Sequence, residues 1–174
     1  MKNVIITGVM AAAFLLAGCG KPKSSSGGSV PPATAQADTS SVAQPALTAW
    51  QQGDKPAAIS HFLEADWSAG PLFAPGSTLS LNEDQFKALS NADRQAKASE
   101  MTAQLDSFGQ LAAAVAQAGR DAAAKGDTAQ ARKYFESLKQ CGTALDSSNC
   151  LTLAQFVGQA LKKMSDKEMS KIGK

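Results

Sequence analysis

An all-α fold is what this 174-residue chain predicts, and three observations carry the prediction. From Pro45 onward alanine, glutamine, leucine and lysine dominate and runs of β-branched residues are absent, which favours helix throughout. Met101, Leu105, Phe108, Ala112, Val115, Gly119 and Ala122 step by four and three, laying one apolar stripe along a single long helix. Helix-start signals are written out in full at 81–86, where Asn82, acidic Glu83 and Asp84, and Gln85 stand in capping-box order between Leu81 and Phe86.

Taken in order, the chain opens on a different kind of segment. Residues 4–17 are apolar apart from Thr7 and Gly8 and follow Lys2. A membrane span needs about 20 apolar residues, so this run is too short for one. A basic start, a short apolar core and small residues at its end describe a secretory signal peptide over residues 1–18. Leu16-Ala17-Gly18-Cys19 resembles the lipobox of bacterial lipoproteins at all four positions. That resemblance implies a diacylglyceryl group on the Cys19 thiol, cleavage just before it and acylation of the new amino terminus. Each buried methylene contributes about 0.8 kcal/mol, so two or three acyl chains hold where one holds marginally. Gly20 in place of an aspartate implies outer-membrane sorting, on the periplasmic face, in a cell that has an outer membrane. The alternatives are an uncleaved tethering helix or an ordinary secretory signal that contains a cysteine.

Residues 19–44 are rich in serine, glycine, proline, alanine, threonine and glutamine, and carry almost no large apolar side chain. Such a segment buries too little surface to offset its ordering entropy and reads as a flexible tether. About 25 residues of this kind span on the order of 25–30 Å. The remaining residues 45–174 have ordinary single-domain length. Without residues 1–18 the chain holds sixteen basic and fifteen acidic side chains, which gives no electrostatic reason to expect a nucleic-acid partner.

Within that domain the long helix is expected over 92–125, with Gly109 and Gly119 as points where it could bend or break at about 1 kcal/mol each. Gly126 ends it and Asp127 caps the next helix. Two stretches, 49–65 and 122–138, align at an offset of 73: Gly53-Asp54 with Gly126-Asp127, Ala58 with Ala131, Phe62 with Phe135, Ala65 with Leu138. Each reads as helix, Gly-Asp turn, helix. The spacing resembles the tetratricopeptide repeat, whose period is 34, so that 73 leaves room for a degenerate middle unit around 89–100. The resemblance implies a peptide- or protein-binding module and no intrinsic catalysis. The other reading is two unrelated helical hairpins under the same capping rules.

Chemistry-bearing residues are few. With Cys19 assigned to lipid, Cys141 and Cys150 form an even pair in an exported domain and are expected to form a disulfide across a helical hairpin, with Cα atoms about 5.5–6 Å apart. Closing so short a loop contributes roughly 2–3 kcal/mol. The alternative is two small buried residues. His61 is the single histidine, so no His-based metal cluster arises, and it reads as a semi-exposed packing residue beside Phe62. No glycine-rich phosphate loop or framed nucleophile appears, and no cofactor is implied. Residues 66–81 are too apolar for a solvated loop. Either they complete the core, or Trp67, Leu72 and Phe73 line a groove offered to a partner. Lys162, Lys163, Lys167, Lys171 and Lys174 end the chain as a solvated helix or as a contact for anionic envelope polymer or lipid. The function expected from these features is non-catalytic: a membrane-anchored module that binds or scaffolds a protein or peptide in the cell envelope. A structural lipoprotein acting through its basic end is the alternative, and an enzyme comes third.

Overall fold

A computed structural model describes residues 41–147 and 149–172. The signal peptide expected over residues 1–18, the lipid expected on Cys19, the tether expected up to residue 40 and Lys174 lie outside the described residues. Among those described, the fold is all-α: α1 (Gln44–Gln51), α2 (Lys55–Glu64), a 3-10 turn (Thr78–Ser80), α3 (Glu83–Ala88), α4 (Asn91–Ala124), α5 (Thr128–Leu145) and α6 (Thr152–Met169).

Local hydrogen-bond chemistry sets most of the boundaries. The Asn82 side chain accepts from the Gln85 amide at 2.9 Å, and the Gln85 side chain accepts from the Asn82 amide at 2.9 Å, so the capping box closes in both directions. Ser90 starts α4 by accepting from the Asp93 amide at 3.1 Å. The helix then runs unbroken for 34 residues, about 50 Å, through both Gly109 and Gly119. Its stripe is buried from Leu105 to Gly119, with Met101 and Ala122 half-buried at its ends. The first 14 residues of α4 hold no fully buried side chain. No Gly-Asp turn interrupts residues 89–100, so the middle repeat unit is absent; Ser90 simply caps a continuous helix.

The two Gly-Asp turns are conformationally equivalent. Gly53 and Gly126 both sit at φ +81°, a left-handed conformation that glycine adopts without steric cost. Asp54 and Asp127 follow with φ/ψ of −83/77° and −81/75° and accept from the amides of Ala57 and Gln130 at 3.1 and 2.9 Å. Their own amides return to Ala49 and Ala122 carbonyls, each at 3.0 Å. Ala58 and Ala131 then pack fully buried, and Phe62 and Phe135 one turn later enter the core.

Helices α5 and α6 cross at Gly142 and Gly158. A Cβ on Gly158 would stand 2.6 Å from the Gly142 carbonyl oxygen, and one on Gly142 would stand 2.7 Å from that of Gly158. Only glycine on both sides allows this approach. Buried Ser165 donates to the Phe135 carbonyl across the same interface. The start of α6 carries no side-chain cap of its own; instead the Glu83 carboxylate at the head of α3 accepts from the Thr152 amide at 2.8 Å. The folded region begins before Pro45: Ser41 and Ala43 are buried, and the amides of Val42 and Ala43 donate to the carbonyls of Pro71 and Leu72, both at 3.0 Å.

Candidate functional site

The segment at 66–81 is assembled from its first residue. Asp66 accepts from the Ser68 amide at 3.0 Å and the Ser68 hydroxyl at 2.6 Å, turning the chain back after α2. Those Ser68 bonds hold the Asp66 carboxyl below its usual range. The turn drives Trp67 inward, where its indole N–H donates to Ser137 Oγ at 3.2 Å, and Ser137 Oγ donates in turn to the Phe62 carbonyl at 3.0 Å. One serine thereby satisfies the buried indole and ties α2 to α5. Ring centroids then follow at 4.6 Å for Phe62–Trp67, 6.4 Å for Phe62–Phe108 and 6.0 Å, edge-on, for Phe73–Phe108.

Trp67 and Phe73 therefore belong to the core, at 4% and 5% exposure, and Leu72 is half-buried. Of the two readings of 66–81, completion of the core describes Trp67 and Phe73, and neither is an exposed groove anchor: the aromatic cluster buries them and Ser137 satisfies the indole N–H. The three residues do come together, as the floor of an open cleft of about 430 Å³ whose far wall is Ala144, Ser147 and Cys150. A second hollow of about 540 Å³ lies beyond Trp67, bordered by Asp66, Lys139, Gln140 and Thr143.

The expected disulfide is not formed; Cys141 and Cys150 are free thiols. Helix α5 continues a full turn past Cys141 to Leu145, which keeps that side chain fully buried on its inner face. Burial pushes the Cys141 thiol well above its ordinary pKa. The half-buried Cys150 thiol instead donates to the Ala144 carbonyl at 3.9 Å and meets Ser147 Oγ at 3.5 Å.

His61 is exposed on α2, its Nδ1 4.0 Å from Glu64, away from both clefts. No group of three or more His, Cys, Asp or Glu among the described residues is placed to hold a metal ion, and no described helix is long and apolar enough to cross a membrane. Of the C-terminal lysines, Lys162 pairs with Asp146 at 2.8 Å and Lys171 with Glu168 at 2.8 Å, while Lys163 and Lys167 point into solvent.

The exposed apolar residues on α6 were not anticipated. Phe156 is 61% and Leu153 43% exposed. The signal lay in register: Ala154, Gly158, Leu161 and Ser165 recur at i, i+4, i+7 and i+11 and face the core, which leaves Leu153 and Phe156 outside. Close helix approach selects small residues for the buried side, so residue size misleads here.

Among the described residues the fold is an all-α domain of helical hairpins with open surface hollows, two of them beside Trp67. Comparison with protein-family models, characterised proteins and solved structures finds no match to the chain.

Proposed function

We propose that the protein is a bacterial lipoprotein, acylated on Cys19 and tethered by the segment that follows, whose helical domain binds a protein or peptide partner in the cell envelope. The lipobox at Leu16–Cys19 supports the anchor, and the absence of charge bias supports a partner other than nucleic acid. The matched geometry of the turns at Gly53 and Gly126 supports kinship with the tetratricopeptide family, whose members bind peptides. The observation that carries the binding reading is the 430 Å³ cleft between residues 67–80 and the end of α5. Its volume lies in the range of ligand-binding clefts, and its floor is apolar with Ser80 and Ser147 at its rim.

Two measurements test it. Replacing Cys19 with Ala leaves an unprocessed precursor that takes up no acyl label; a wild-type chain that matures elsewhere or carries no lipid by mass spectrometry refutes the anchor. A photoreactive residue at position 72 or 144 crosslinks one discrete envelope protein or peptide in intact cells, and Leu72→Asp elsewhere in the cleft lowers its capture at position 144 about thirtyfold, as loss of an interface anchor does. Equal, diffuse crosslinking with and without Leu72→Asp refutes the cleft.

A further inference from the structure

Leu153 and Phe156 are the exposed large hydrophobics among the described residues, and they lie on one stripe of one helix. With 100° per residue, Ala160, Lys163 and Lys167 continue that stripe along α6, and all three are exposed. The outer face of α6 is thus apolar for its first turns and basic for its last.

Charge on the flanks is already committed. Asp146 holds Lys162 at 2.8 Å, Asp166 holds Lys139 at 2.7 Å, and Glu168 holds Lys171 at 2.8 Å and Arg120 at 3.4 Å. Glu83, beside the first turn of α6, is taken up by the Thr152 amide and by Lys87 at 3.9 Å. Lys163 and Lys167 are in none of these pairs, so the stripe presents a positive surplus next to an aromatic side chain.

We propose that this face of α6 rests on an anionic lipid surface, with Phe156 and Leu153 entering the interface and Lys163 and Lys167 meeting headgroup phosphates. An amphipathic helix binds in this way, its apolar side chains reaching the acyl boundary and its lysines drawn to anionic lipid. The inference rests on the proposed anchor for the approach of the domain: the tether is long enough, at on the order of 25–30 Å, to let a surface helix reach the bilayer that holds Cys19. Charge complementarity selects lipid over a second copy, since a two-fold contact centred on Phe156 would bring the same uncompensated lysines to both sides.

The test uses the protein purified from membranes, with the mass of its N-terminal peptide recorded, in vesicles of phosphatidylcholine alone or with phosphatidylglycerol carrying a diazirine near the top of its acyl chain. Amine acetylation and lipid crosslinks are read by peptide mass spectrometry. With phosphatidylglycerol, labelling of Lys163 and Lys167 falls several-fold relative to Lys55 and Lys125, and lipid crosslinks concentrate at 153–160. Leu153→Ala/Phe156→Ala restores the labelling. Lys163→Glu/Lys167→Glu weakens the docking equilibrium about thirtyfold and removes the crosslink. Both pairs are exposed, so melting temperatures stay at the wild-type value; a drop would place the residues in the fold and overturn the proposal. Equal labelling in the two vesicle types also overturns it, as does a discrete protein crosslinked at position 156 with no lipid adduct there. An N-terminal peptide without acyl chains refutes the anchor alone, because the same footprint is then read on vesicles to which the soluble chain is added.

Discussion

Adding a methyl group to Gly158 tests the closest contact in the fold. The new Cβ lies 2.6 Å from the Gly142 carbonyl oxygen, 2.8 Å from the Asp146 amide nitrogen and 2.9 Å from Leu145 Cβ, against 3.4 Å for ordinary contact. The first two are backbone atoms, so no rotamer relieves the overlap and α5 and α6 must part by about 0.8 Å. A radial gap of that size forfeits a quarter to a half of each facing dispersion contact. The loss is set against up to about 1 kcal/mol of helix propensity gained by replacing glycine with alanine. The net expectation is destabilisation of about 1–3 kcal/mol, with Gly142→Ala behaving alike. Gly109 supplies the control, because a Cβ there meets nothing within 4 Å. Gly109→Ala stabilises by about 0.5–1 kcal/mol. Urea unfolding followed by circular dichroism reads both signs as midpoint shifts at constant slope. A neutral or stabilising Gly158→Ala would refute the crossing as described.

Ser137→Ala removes the acceptor of the Trp67 indole and leaves a buried N–H unpaired, which costs about 1–3 kcal/mol in the same unfolding assay; a cost below about 0.5 kcal/mol would mean that the indole finds another partner. Native protein challenged with a thiol reagent alkylates Cys150 well before Cys141, and peptide mapping without reductant recovers both cysteines unlinked; a linked pair would restore the disulfide and oblige the end of α5 to rearrange. The carboxyls of Glu83, Asp146 and Glu168 are lowered, chiefly by hydrogen bonds from Thr152, Lys162 and Lys171 respectively. Lowered folded-state values contribute stability that is present above the unfolded carboxylate range of about 3.9–4.3 and lost as pH falls through the folded values. The urea midpoint therefore declines below about pH 4, and Asp146→Asn shallows that decline; an unchanged slope would show that the half-buried Lys162 pair contributes nothing.

What was legible in the sequence was what local chemistry decides. The capping box at Asn82 and Gln85 and the two Gly-Asp turns are closed by bonds within a few residues, so their residues announce them. The stripe on α4 was equally plain because its period needs no knowledge of the partner helix. Long-range pairings were hidden. The apolar composition of 66–81 points to burial, but nothing there records that the Trp67 indole N–H donates to Ser137, 70 residues away. The hairpin between α5 and α6 forms with its turn directly after Leu145, as the residues there suggest, but Cys141 lies a full turn back inside α5 with its thiol buried and does not meet Cys150. Nothing local marks Gly142 and Gly158 as the pair that lets α5 and α6 touch.

The backbone pairing of Val42 and Ala43 with Pro71 and Leu72 has a mechanical consequence. In an anchored protein, a pull between bilayer and domain arrives first at this junction, ahead of the first helix. Two hydrogen bonds to the loop, a third from the Gln44 amide to the Ser41 carbonyl, a fourth from the Leu47 amide to the Ala43 carbonyl, and the burial of Ser41 and Ala43 oppose it there. Peeling residues 41–43 away frees roughly 10 Å of chain at full extension and breaks the bond from the Leu47 amide at the head of α1. On the proposed anchor at Cys19, this junction is where tension would first be released, ahead of the aromatic core.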